Sequence, residues 1–212
     1  MRTNDQIIEQ ILNKRGIVAE DEICEFLSQK PTRTYDPFLL DGMRAGVDLL
    51  LSVVDGEGAE NKRICIYGDY DADGVTAATV MAYAVSSLTD NWFFYVPSRF
   101  REGYGLNVNA LDRIRDAGTE LIITVDCGCV SKYEVEYAKS IGLKVIVTDH
   151  HNIEDVIADC IVIDPKKTEP FLPEGVKPYP CADLAGCGVA FKFLQALQRT
   201  ANLPKSILSD AL

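Results

Sequence analysis

The chain is poor in positive charge. Its 21 Lys and Arg face 32 Asp and Glu, a formal net charge of −11, which argues against a general electrostatic footprint for nucleic acid. A local footprint remains open, drawn from bound cations, clustered basic residues or a part of the protein outside this chain. Long apolar runs are missing too, and no stretch approaches the ~20 residues that a membrane-spanning helix needs. Met1 to Lys14 is polar and amphipathic, without the charged start and apolar centre of an export signal. Cysteine occurs in an odd number, seven scattered residues. Without export, these are expected to be reduced thiols of a cytoplasmic protein rather than a disulfide framework. There is no Gly-x-x-x-x-Gly-Lys-Ser/Thr loop and no Gly-x-Ser-x-Gly elbow, which argues against a P-loop enzyme and against a serine-hydrolase elbow.

What is present reads as α/β. Of the 212 residues, 47% are hydrophobic, enough for the core of one large domain with an extension. Residues 1–60 have helical texture and are expected to form a helical N-terminal extension. Ile7, Ile8, Ile11 and Leu12, then Ile23, Phe26 and Leu27, recur at helix spacing, as does Met43 to Val54. Pro31 and Pro37 mark breaks, and Asp55 to Asn61 is a polar connection. Over 61–212 short apolar runs alternate with helical patterns. Strands are expected at Arg63–Tyr67, Trp92–Val96, Leu121–Val125, Lys144–Val147 and Cys160–Ile163. Helices are expected at Val75–Leu88, Ala110–Ala117, Ser131–Ile141 and Val189–Arg199. This alternation predicts a mainly parallel sheet of about five strands flanked by helices, which binds ligands beyond the carboxyl ends of its strands. Pro165 to Pro180 reads as a long surface connection.

Three of those strand ends carry unusual polar residues. The first delivers Asp69-Tyr70-Asp71-Ala72-Asp73-Gly74-Val75-Thr76, the third Asp126-Cys127-Gly128, the fourth Asp149-His150-His151 with the chain's two histidines side by side. Asp69, Asp71 and Asp73 repel one another unless a cation sits among them. Hard carboxylate oxygens suit Mg²⁺ or Mn²⁺, and an added imidazole shifts the balance toward Mn²⁺. Two such ions can clamp a phosphoryl group, and a helix N-terminus near Val75 favours an anion at the same edge.

Each cluster also has a plainer reading. Asp-x-Asp-Gly serves as a turn or helix cap, Asp126 as a cap for the next helix, and the histidines as a surface pair. A calcium loop is disfavoured by the missing bidentate Glu, and a zinc site at Cys127, Cys129, Cys181 and Cys187 by its spacing. Three independent caps at successive strand ends are harder to accept than one shared site.

The same residues resemble a family. Asp69–Thr76, Val125–Gly128 and Asp149–His151 resemble the motifs of the DHH phosphoesterase superfamily and, within it, of the RecJ-type single-strand-specific exonucleases. Pro97–Gly105 is similar to their NRxxEGYG segment, and Asp164-Pro165-Lys166 with Tyr179–Lys192 to their later NPK…YP…LAGxGVAFK stretch. The resemblance implies 5′ to 3′ hydrolysis of single-stranded DNA with Mn²⁺ or Mg²⁺ in a two-metal site, in DNA repair and recombination. A single-strand-binding protein or a repair helicase is implied as partner. Carried over, Asp71 and Asp73 are metal ligands, Asp126 bridges and His150 completes a coordination sphere. Asp69 is a ligand or an outer acceptor, and Asp149 orients its neighbours. His151 contacts the scissile phosphate or positions water, and Arg99 and Arg101 contact phosphate.

Two departures stand out. Many relatives carry histidine where Tyr67 stands. The chain also ends before any match to a later aspartate motif or to a second, substrate-binding domain, so it is expected to be an N-terminal part of a longer protein, with metal affinity and turnover by this part alone left open. Two other functions stay open: a DHH phosphodiesterase acting on short oligonucleotides, cyclic dinucleotides or pyrophosphate, and a non-catalytic relative that binds DNA or partners.

Overall fold

A computed structural model describes residues 4–28, 34–58, 60 and 62–211; the break expected at Pro31 lies outside them. Two compact units are present, Met1–Asp36 and Pro37–Leu212. The smaller contains helices α1 (Asn4–Lys14) and α2 (Glu20–Leu27). The division thus falls at residue 36, whereas sequence texture placed it near 60, because helix α3 (Met43–Val54) is built into the larger unit. Met43, Val47, Leu50 and Val53 of α3 are buried in that unit's core.

The larger unit holds one five-stranded sheet in the order β2-β1-β3-β4-β5, every pair parallel. Its strands are β1 (Arg63–Gly68), β2 (Trp92–Tyr95), β3 (Thr119–Val125), β4 (Lys144–Thr148) and β5 (Ile161–Ile163). Between and after them run α4 (Ala72–Ser86), α5 (Val108–Asp116), α6 (Lys132–Ser140), α7 (Gly186–Thr200) and a short α8 (Ser206–Asp210). The alternation of strand side chains sorts them into two cores. Ile64, Ile66, Leu121, Ile123 and Ile146 pack with α3, α4 and α7. Cys65, Tyr67, Ile122, Val145 and Val147 pack with α5 and α6.

Helix ends explain where structure and sequence texture differ. α4 begins at Ala72 rather than Val75 because Asp71 is its N-cap and accepts the Gly74 amide at 2.9 Å. α7 begins three residues early, at Gly186, where its first amides find an acceptor far along the chain, described below. The 165–180 segment is more than a solvated connection. Leu172 and Tyr179 are buried, and the buried Lys167 places its ammonium 2.6 Å from Asp41. Among the described residues no helix is long and apolar enough to cross a membrane.

The strand order decides where a ligand can sit. The chain leaves β1 outward to β2 through α4 on one face, then returns to β3 through α5 on the other. That reversal opens a crevice beyond the carboxyl ends of β1 and β3, the usual ligand position in such sheets.

Candidate metal centre

The crevice holds all three polar clusters. Asp126 follows β3 in the left-handed region, φ 60°, a conformation that aspartate and asparagine tolerate better than most residues and that concentrates at functional sites. Its carboxylate is 2% exposed, and Oδ1 makes no hydrogen bond, although His150 Nε2 stands 3.0 Å away. Burial, then the charges of Asp73 and Asp71, push this carboxyl up to about 7. Asp69 is likewise buried, its Oδ1 also lacks a partner, and burial raises its pKa. One oxygen each from Asp69, Asp71 and Asp126 lie within 4.8 Å of one another, as do ligand atoms of Asp126, His150 and His151. Asp126 belongs to both groups.

Two buried, orphaned carboxylate oxygens in a cluster of three acids are unfavourable alone and are relieved by a cation. With imidazole nitrogen beside carboxylate oxygen, the donor set fits Mn²⁺ or Mg²⁺. Local packing is tight around it. A Cβ on Gly186 would lie 2.7 Å from Asp126 Oδ1, and one on Gly74 would meet the Asp69 backbone, so glycine is required where two chain segments close on the carboxylates.

Asp73 is held differently. Its Oδ2 accepts the Gly186 amide and its Oδ1 the Cys187 amide, each at 2.8 Å, so it receives the N-terminus of α7 across 113 residues of sequence. Burial acts to raise its pKa, but those amides and His150 outweigh it and the net shift is downward. His150 Nε2 lies 3.4 Å from Asp73 Oδ2. The structure therefore brings Asp73, Asp126 and His150 together, as a shared site requires.

Asp149 is buried beneath the histidines. Its Oδ1 accepts from the His150 amide at 2.7 Å and faces His151 Nδ1 at 2.7 Å, while Oδ2 accepts the Cys129 amide at 2.9 Å. Burial acts upward, yet these donors hold its pKa below the usual carboxylate range. The same contact raises the pKa of His151. Arg99 and Arg101 are exposed on the loop after β2. The Arg99 guanidinium is 5.4 Å from the centre of the Tyr70 ring.

Two further neighbours of the centre are not singled out by the sequence. The Tyr104 hydroxyl lies 3.3 Å from the Asp126 carbonyl and within 3.4 Å of the His151 ring nitrogens. Asp164, after β5, is a further buried carboxylate with an orphaned Oδ2. Burial first and then Asp149 raise it to about 7. The signal for Asp164 was available, since it is one more acid at a strand's carboxyl end; Tyr104 had none beyond its motif. The Tyr67 hydroxyl donates to the Gly105 carbonyl at 2.8 Å.

Fold and crevice define an α/β domain with a candidate divalent-cation centre at its switch point, and comparison with known proteins gives the family. Residues 63–212 match the DHH family, N-terminal domain; the chain belongs to the DHH family. It is 39% identical over 206 residues to the single-stranded-DNA-specific exonuclease RecJ of Bacillus subtilis (strain 168), covering 97% of this chain and 25% of that protein. To RecJ of Escherichia coli (strain K12) it is 38% identical over 156 residues, 73% of this chain and 26% of that one. A crystal structure of exonuclease RecJ bound to manganese superposes with a TM-score of 0.65 at 30% identity, covering 81% of this chain and 42% of that chain. The chain thus spans about a quarter of the length of these curated relatives.

Proposed function

We propose that this chain is the metal-binding catalytic part of a RecJ-type exonuclease that hydrolyses single-stranded DNA from the 5′ end in repair and recombination. The supporting observation is the crevice itself: orphaned oxygens of Asp69 and Asp126 converge with Asp71 and His150 at the switch point of the sheet. The likeness to RecJ over nearly the whole chain supports single-stranded DNA as the substrate class.

In this reading Asp69, Asp71 and Asp126 would hold a divalent cation, Mn²⁺ or Mg²⁺. Asp126 and His150 would hold a second, and Asp73 would add a lone pair that its amide bonds leave free. When bound, these cations stabilise the charge developing on the phosphoryl oxygens. The remaining work falls to the chain. Asp149 fixes the His151 ring through Nδ1, and the same contact favours the charged imidazole; His151 then contacts the scissile phosphate or positions its water. Arg99 and Arg101 supply local positive charge on a chain of net charge −11. The sheet of the catalytic domain begins at β1, and α1 and α2 form the helical extension ahead of the larger unit. The protein acts in the cytoplasm, and a single-strand-binding protein or repair helicase as partner follows from the same reading.

The test is Mn²⁺-dependent release of nucleotides from 5′-labelled single strands by the intact protein. Hydrolysis that persists with alanine at both Asp71 and Asp73 rejects the assignment.

A further inference from the structure

We propose that Phe100 is a stacking platform for a nucleobase of the single strand, and so a determinant of single-strand specificity. This rests on the exonuclease reading and extends it to a residue that the metal chemistry does not use.

Phe100 is 97% exposed, the most exposed large hydrophobic side chain among the described residues. An aromatic ring left in water on a loose loop would mean little, but this turn is built. The Arg101 and Glu102 amides both donate to the Ser98 carbonyl. The Glu102 carboxylate turns back to accept the Ser98 amide at 2.8 Å, is met by the Tyr95 hydroxyl, and pairs with Arg113 at 3.2 Å. Gly103 and Gly105 both take positive φ, 80° and 78°, and let the chain double back. Beyond them the Tyr67 hydroxyl pins the Gly105 carbonyl. The backbone under Phe100 is therefore fixed at both ends while its ring is held out.

The turn also borders the metal crevice. Four residues on, Tyr104 reaches the His151 ring and the Asp126 carbonyl; one residue before, Arg99 lies over Tyr70, between Asp69 and Asp71. Phe100 thus stands between two exposed arginines, beside the candidate site of cleavage. Alternating cations and an aromatic ring match the backbone and base of an unpaired strand. A duplex cannot use the ring, because its bases already stack on each other. Stacking also suits an acidic chain, since it adds affinity without further positive charge.

The experiment measures binding of fluorescent oligothymidylate, and of an abasic oligomer of equal length, to the intact protein in EDTA. The variants are Phe100→Ala and Phe100→Trp. Phe100→Ala is expected to bind oligothymidylate about tenfold more weakly and the abasic oligomer as the parent does, with Phe100→Trp restoring affinity. Equal affinity of Phe100→Ala and parent for oligothymidylate, or equal losses on both oligomers, overturns the stacking role while leaving Mn²⁺-dependent hydrolysis intact. A parent that neither binds these strands nor cuts them with Mn²⁺ removes the exonuclease reading as well. Thermal unfolding at the parent temperature excludes misfolding of Phe100→Ala as the cause of its loss.

Discussion

The two sides of the crevice treat the same functional group in opposite ways. On the α4–α7 side, the Asp73 oxygens each accept an amide from α7, and its pKa falls. On the β3 side, Asp126 is buried with an orphaned oxygen, and its carboxyl is raised to about 7. Both face the His150 imidazole, at 3.4 and 3.0 Å. The contrast separates a carboxylate that the fold itself satisfies from one whose satisfaction has to arrive from outside. Asp73 supports the architecture with or without a cation; Asp126 is a liability until a cation binds.

Asp126→Asn is the sharpest way to break the comparison. Calorimetric Mn²⁺ titration should show an affinity loss beyond the ~10–100-fold typical of groups that only support ligands. The cation-free protein should keep or gain stability, because a buried charge has gone. Asp73→Ala should do the reverse to the fold. Removing an ionised acceptor from two helix amides is expected to lower unfolding stability by about 2–3 kcal/mol in urea without metal. Equal destabilisation by the two variants would erase the distinction.

A third test uses pH. Asp126 and Asp164 have folded-state pKa values near 7, raised above those of an unfolded carboxyl. The folded state therefore binds the proton more tightly. The penalty is absent below the unfolded value, grows as pH rises, and is complete above about 7. Without metal, the melting temperature should fall between pH 5 and 8, and saturating Mn²⁺ should reduce that fall by relieving Asp126. A melting temperature that rises over this range without metal contradicts the orphaned state of Asp126. The smallest effect is expected at Tyr67→Phe. It removes the hydroxyl that holds the Gly105 carbonyl, a group outside the carboxylate and imidazole cluster, and should cost about 1 kcal/mol, with Mn²⁺ affinity unchanged by calorimetry.

Much of the fold was legible because a buried parallel sheet writes itself as short apolar runs. Each of the five runs became a strand, and strand order then placed Asp69, Asp126 and Asp149 on one edge. What stayed hidden depends on distance rather than pattern. No local signal joins Asp73 to Gly186, or Tyr104 to His151, because both contacts arise only when separate elements pack. The start of α7 was misjudged for the same reason: its small residues 186–188 lack apolar periodicity, and the acceptor that anchors them lies on another helix. Asp71 shows that the alternatives were not exclusive. It is a helix cap, as the plainer reading of its motif had it, and it still presents a carboxylate oxygen to the acidic cluster.

The left-handed backbone at Asp126 constrains how such a protein can change over time. At φ 60° most side chains are strained, and asparagine is the neighbour that fits with least disturbance. A single exchange there would remove a buried negative charge and leave the scaffold standing. The step from a carboxylate cluster that calls for a cation to one that does not is then short, and a descendant that took it would still fold like its parent.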